Sequence, residues 1–436
     1  MTTVVVVGGD AAGATAASTA KRLDPSLDVV MLERGPDTSY SACGIPYWVS
    51  GDVRSSEKLV ARSPDEHRRR GIDVRTGSTA TAIDTSGRSV EINSHEHISY
   101  DRLLVATGGR PRRPPIPGIE RAFGVQTLDD ARRLQSHLAR VTPRMAVVAG
   151  GGYIGLEMAE AFIKRGIETH LVERSPHVMG TLDAEMAELV EEALRNEGVE
   201  LHLETEVREV HDDRVITSAG EHPAEVVVLG LGSGPETTLG EAAGLALGAG
   251  DAFVTDDRMA TGTEAVWAAG DCAEVFHRVA GRRVSIQLGT VANKAGRVAG
   301  MNMAGGHARF PGVVGTAVSK ICRYEVARTG LSTSECSRYG FDGVAVTIAA
   351  TTRAGYYPGS GPISVRLIGD RADGRLLGGQ IVGVEGAAKR IDVVATALWN
   401  RMMVEEVVDL DLSYAPPFSS VWDPVQVGAR ELLKEL

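Results

Sequence analysis

The chemistry-bearing residues of this chain form two matched sets and one isolated thiol. Each set is a Gly-rich loop followed by an acid: Gly8, Gly13 and Glu33, then Gly150, Gly152, Gly155 and Glu173. Each loop follows an apolar run and opens a helical pattern, and each acid lies about 20 residues further on. Such glycines let backbone N–H groups approach a pyrophosphate. The helix N-terminus adds partial positive charge, and the acid bonds the ribose hydroxyls. Two dinucleotide sites are expected. Arg34 is assigned to the first, Tyr153 and Ile154 to the second. The first loop departs from the GxGxxG spacing, because Asp10 stands where the middle glycine belongs. Glu173 favours NADH, since a carboxylate repels a 2′-phosphate, while Arg174 beside it leaves NADPH open.

The thiol is Cys43, within Ser39-Tyr40-Ser41-Ala42-Cys43-Gly44-Ile45-Pro46-Tyr47. Cys272, Cys322 and Cys336 lie far from it, and no pair has CxxC or metal-ligand spacing. Neither a disulfide framework nor a metal site is expected. Gly44 and Pro46 suit a turn that opens into a helix. A helix N-terminus there would lower the Cys43 pKa and favour the thiolate. The competing reading is an inert buried cysteine, a frequent fate of free thiols.

These groups need scaffolding, and the pattern supplies it twice. Residues 4–7 and 27–32 read as buried parallel strands on either side of a small-residue helix. Residues 145–149 and 169–172, with a helix over 156–164, repeat the unit. A Pro-rich linker covers 110–118 and a second linker 248–257. Past 310–312 the composition turns to alternating β-like segments, 344–349 and 363–368, followed by a helix over 388–403. That last portion reads as a separate α+β domain.

Two more segments carry a resemblance. Leu104-Val105-Ala106-Thr107-Gly108-Gly109 and Ala265-Val266-Trp267-Ala268-Ala269-Gly270-Asp271 resemble signatures of the FAD- and NAD-linked disulfide reductase superfamily. The resemblance implies an α/β fold with two Rossmann-like dinucleotide-binding domains and a C-terminal α+β dimerisation domain. On that reading, 1–112 and 252–312 bind FAD, 113–251 binds NAD(P)H, and 313–436 dimerises. Thr107, Gly108 and Asp271 join the FAD set, with Asp271 facing the flavin ribityl chain.

Where the glutathione reductase type has two cysteines, this chain has one. It is similar to the single-cysteine branch: coenzyme A disulfide reductases, NADH oxidases, NADH peroxidases and persulfide reductases. Residues 353–358, 386–392 and 414–424 most resemble the coenzyme A disulfide reductases. The resemblance implies electron flow from NADH, or NADPH, through FAD to Cys43, and reduction of a small disulfide or persulfide. It implies that Tyr356 and Tyr414 assist the leaving thiolate across a homodimer with shared active sites. Thr15, Thr19, Arg22 and Ser39 fall at coenzyme A positions. Ala42 stands where the branch often has Asn, which argues against coenzyme A in particular. The first loop holds no histidine, which argues against peroxide as the main substrate. An NADH oxidase working through a Cys43 sulfenate, and a flavoprotein electron carrier in which Cys43 is incidental, stay open.

Composition narrows the field. With 46 Lys plus Arg against 57 Asp plus Glu, the 436-residue chain carries a formal charge of −11. That balance argues against nucleic acid as a partner. No apolar stretch is long enough to span a membrane. The cysteine usage suits a reducing cytoplasm.

Overall fold

The computed structural model describes residues 2–436. Two parallel sheets carry the chain's dinucleotide loops. In the first, strands lie in the order Val266–Ala268, Arg102–Val105, Thr3–Val7, Asp28–Glu33, Ile72–Thr76. Val4, Val5 and Val6 are fully buried, because both faces of a parallel sheet are covered. In the second, the order is Val199–His202, Glu168–Val172, Met145–Ala149, Val226–Leu229. A three-stranded antiparallel meander, Val207–Val210, Arg214–Thr217 and Gly220–Pro223, adjoins it.

Small side chains let helices close on one another. The helix Ala11–Leu23 lies against Gly289–Met303. A Cβ at Gly296 would overlap the carbonyl of Ala12, and one at Gly300 the carbonyl of Ala16. Backbone therefore touches backbone, which brings the strand Val266–Ala268 and the segment after it against the first loop.

The third unit is an antiparallel sheet in the order Ala317–Ile321, Tyr324–Gly330, Leu376–Gly383, Pro362–Asp370, Gly343–Thr351. Helices Ala387–Trp399 and Pro424–Leu433 pack on it. Apolar side chains stay exposed at one end: Tyr356, Tyr414, Phe418, Val421 and Trp422. A patch of that kind marks an association surface. No helix among the described residues is long and apolar enough to cross a membrane.

Two sequence expectations change. The helix expected over 388–403 stops at Trp399, because Arg401 adopts a left-handed φ of 58° and Met403 pairs with Arg375. The Pro-rich linker is partly a strand, with Gly109–Pro111 pairing with Ser233–Pro235.

Candidate functional site

The two Gly-rich loops superimpose in their physics. Gly8 and Gly150 both have φ of 106°, open to glycine alone. A Cβ at Gly13 would overlap the carbonyl oxygen of Gly8, and one at Gly155 that of Gly150. Each loop thus folds tightly under its helix. Glu33 accepts from the Gly9 N–H at 2.9 Å and the Gly35 N–H at 2.7 Å. Glu173 accepts from the Gly151 N–H at 2.7 Å and the Ser175 N–H at 2.8 Å. Arg34 and Arg174 follow these acids and are exposed.

The loops fit a dinucleotide diphosphate. Neither helix receives a side-chain cap from Asp10 or Gly152, so first-turn N–H groups have no acceptor from the cap residue. Gly152 has an ordinary φ of −82°, and a Cβ there would meet only the Gly230 carbonyl, at 3.8 Å. The protein itself does not require glycine at 152, and the open space there suits a closely approaching dinucleotide backbone. Tyr153 opens this helix and its hydroxyl accepts from Thr181 at 3.4 Å, while Ile154 and Tyr153 are partly buried. In the first unit, Thr107 donates to the Glu236 carbonyl at 2.5 Å, and Gly108 takes a φ of 75° with open space where a side chain would be. Asp271 lies beside Gly109, and burial alone raises its pKa to about 6.

Cys43 sits in a short 3₁₀ turn, Ala42–Gly44, that leads into the helix Ile45–Ser50, with Pro46 in its first turn. The loop is pinned by the Ser41 N–H donating to the Leu59 carbonyl at 2.8 Å. Of the four cysteines, Cys43 alone is exposed. The helix after it packs against Tyr153–Lys164, and Arg165 donates to the Val49 carbonyl at 2.8 Å. The second nucleotide unit thereby reaches the thiol.

The electrostatics of Cys43 run opposite to the sequence expectation. Its pKa is raised, first by burial of the sulfur's surroundings and next by the Glu157 carboxylate, with smaller pushes from Asp271 and Asp10. The turn's own N–H lowers it, but not enough. A helix N-terminus is present, as expected, but burial, together with carboxylates from three separate segments, outweighs it. Glu157 is itself raised by burial and accepts from Ser319 at 2.6 Å. Asp10 accepts from the Tyr40 N–H at 3.1 Å, yet burial and then Glu33 lift its pKa to about 7. Sequence reasoning missed both acids as neighbours of Cys43, since nothing local in either segment points to it.

The remaining residues scatter. Tyr356 and Tyr414 are exposed and bond each other, which raises the Tyr356 pKa. Neither makes a hydrogen bond to the Cys43 loop of the same chain among the described residues. Thr15 donates to Asn293 at 2.8 Å. Arg22 is exposed, whereas Thr19 is only 4% exposed and offers little to a ligand. Ser39, at a left-handed φ of 48°, bonds the buried His67 at 2.9 Å. Burial holds His67 at about 4, so this ring is a neutral strut that sequence reasoning did not single out.

Comparison with known proteins agrees with this geometry. Residues 2–296 match the model for pyridine nucleotide-disulphide oxidoreductases, and residues 316–425 match the dimerisation domain of the same group. A CoA-dependent NAD(P)H sulfur oxidoreductase from Pyrococcus abyssi is 39% identical over 440 residues, covering 99% of this chain and 98% of that protein. An NADH oxidase from Methanocaldococcus jannaschii is 32% identical, with 99% of each chain covered. The structure of a NAD-dependent persulfide reductase from A. fulgidus superimposes with a TM-score of 0.96 at 37% identity, covering 99% of this chain and 83% of that one. The chain belongs to the pyridine nucleotide-disulphide oxidoreductase family, whose members are FAD- and NAD(P)H-dependent.

Proposed function

We propose that this chain acts as a homodimer that reduces a small persulfide or disulfide at Cys43, with coenzyme A as the thiol carrier. The observation that carries the reading is Cys43 itself: one exposed thiol, without a partner cysteine, within the electrostatic reach of Asp10 and Asp271 on one side and Glu157 on the other. The relatives named as CoA-dependent sulfur oxidoreductase and persulfide reductase support the choice of substrate. Bound FAD supplies a two-electron relay between NAD(P)H and sulfur.

The chain's own residues do the rest. The Cys43 thiolate attacks one sulfur of R–S–S–R′, a Cys43–S–S–R bond forms, and R′–SH leaves after taking a proton. Two electrons from NAD(P)H then break that bond and restore the thiolate, and R–SH departs with a second proton. With a persulfide, R′ is hydrogen and the first product is hydrogen sulfide. Gly8, Gly13, Glu33, Thr107, Gly108 and Asp271 would hold the flavin nucleotide. Gly150, Gly152, Gly155 and Glu173 would hold the nicotinamide nucleotide, NADH in preference to NADPH. Asp10, poised near neutrality, governs how much negative charge faces the thiol. We assign the FAD unit to 1–112 and 252–312, the NAD(P)H unit to 113–251, and dimerisation to 313–436.

The exposed apolar end at Tyr414, Phe418, Val421 and Trp422 would pair with a second copy. Tyr356 and Tyr414 would then serve the partner's Cys43 loop, each phenol donating to a departing thiolate. Arg22 would face a coenzyme A phosphate.

The test is NADH consumption with coenzyme A persulfide, with coenzyme A disulfide, and with oxygen alone. Cys43→Ser is expected to lose about a thousandfold in kcat with either sulfur substrate while keeping its flavin. Unchanged turnover would refute the reading. Oxygen consumption that matches the persulfide rate would select the oxidase instead.

A further inference from the structure

The second sheet carries a cluster that the redox chemistry does not use. Its register pairs His170 with Glu200 and Val172 with His202. Side chains alternate along a strand, so these four residues rise from one face. The antiparallel meander packs over the same face, where Val147, Val172, Val210 and Val215 share a small core. Its strand Gly220–Pro223 brings His222 onto the two histidines below.

The three imidazoles meet. Ring centroids of His202 and His222 are 4.2 Å apart, and His170 lies 5.3 Å from each. One ring nitrogen from each residue lies within 4.8 Å of the other two. His170 is 7% exposed, and its Nε2 is buried without a hydrogen-bond partner. His170 Nδ1 lies 3.0 Å from His202 Nε2 and 3.3 Å from a Glu200 carboxylate oxygen. Ligands around a tetrahedral ion with bonds of about 2.0–2.1 Å stand about 3.3 Å from one another. Two of the six edges of that tetrahedron are already present, both at His170 Nδ1, and His222 stands within 4.8 Å of the other two imidazoles.

We propose that His170, His202 and His222, with Glu200, bind a divalent transition-metal ion such as Zn²⁺ that staples the meander to the nucleotide-binding sheet. Three imidazoles with one carboxylate fill all four positions, the pattern of a structural site rather than one kept open for substrate. The site bears on the nucleotide by position. The Glu173 N–H donates to the His202 carbonyl at 2.9 Å, so the ion would fix the strand end from which the ribose acid departs. The cysteine spacing gave no reason to expect a metal, and these histidines come from three strands without a shared motif.

The test uses the flavin-loaded protein, stripped with a chelator and titrated with Zn²⁺ by calorimetry, followed by X-ray absorption at the zinc edge. One ion per chain, an imidazole-rich shell free of sulfur, and a raised thermal midpoint are expected. His202→Ala and His222→Ala should each lose at least tenfold in affinity. Should either fail to fold, judged by flavin content, Glu200→Gln should lower affinity with every ring in place. A sulfur neighbour would place the ion away from the histidine cluster and overturn the proposal. So would binding that is unchanged in these variants, or no binding at all.

Discussion

The two nucleotide loops share their turn and locking glycines and differ most sharply where Asp10 in the first stands opposite Gly152 in the second. Both turn on a glycine at φ of 106°, both lock a second glycine under the helix, and both tie their acid to a loop N–H. The second loop leaves open space at Gly152. The first fills that place with Asp10, whose carboxylate turns to the Tyr40 N–H and adds charge near Cys43. One architecture therefore serves two ends. At Gly152 the missing side chain leaves open space; at Asp10 the added one links a Gly-rich loop electrostatically to Cys43.

The comparison breaks most completely at its locking glycines. Gly13→Ala should cost about 3 kcal/mol, as overpacking against backbone does, and yield protein without flavin. Gly155→Ala should cost a similar amount locally but give yellow protein whose KM for NADH rises at least tenfold. Flavin absorbance and steady-state kinetics read the two outcomes apart. If both variants lose flavin, the loops are not independent.

Asp10 provides the next largest effect. Its pKa of about 7 lies above the ordinary 3.8, so the folded state favours the neutral acid. The contribution of Asp10 to stability is then greatest below pH 4 and is lost as pH rises through 7, by up to about 4 kcal/mol. Asp10→Asn should match the parent at low pH and exceed it above pH 7 in denaturant titrations. It should also speed alkylation of Cys43 at pH 8 a few-fold, because one repelling charge is gone. Gly152→Asp, the reciprocal change, should instead weaken NADH binding.

The acids provide the smallest and most selective effect. Glu173→Gln should shift preference toward NADPH about tenfold, near 1.4 kcal/mol, in the ratio of kcat/KM values. Glu33→Gln should leave that ratio alone and weaken flavin retention.

What the sequence disclosed follows from this. The loops were legible because each depends on local rules: glycine at a left-handed angle, a helix start, and an acid at a strand end. The outlook for Cys43 was half legible. Gly44 and Pro46 announced the turn and helix, but the raised pKa comes first from burial and then from Glu157, Asp271 and Asp10, groups brought to the thiol only by folding. The end of the helix Ala387–Trp399 was missed for the same reason, since Met403 leaves to pair with Arg375 on the sheet. Tyr356 and Tyr414 were marked by motif, yet their bond to each other at the surface had no local sign.

The fate of the other sulfurs has its own consequence. Cys272, Cys322 and Cys336 are buried, and burial pushes the last two thiols up to about 12. At neutral pH a thiol-selective electrophile therefore meets one addressable sulfur per chain. A stoichiometric thiol-alkylating dye becomes a count of intact centres, and thiol oxidation in this protein becomes a single-site event that can be read by mass.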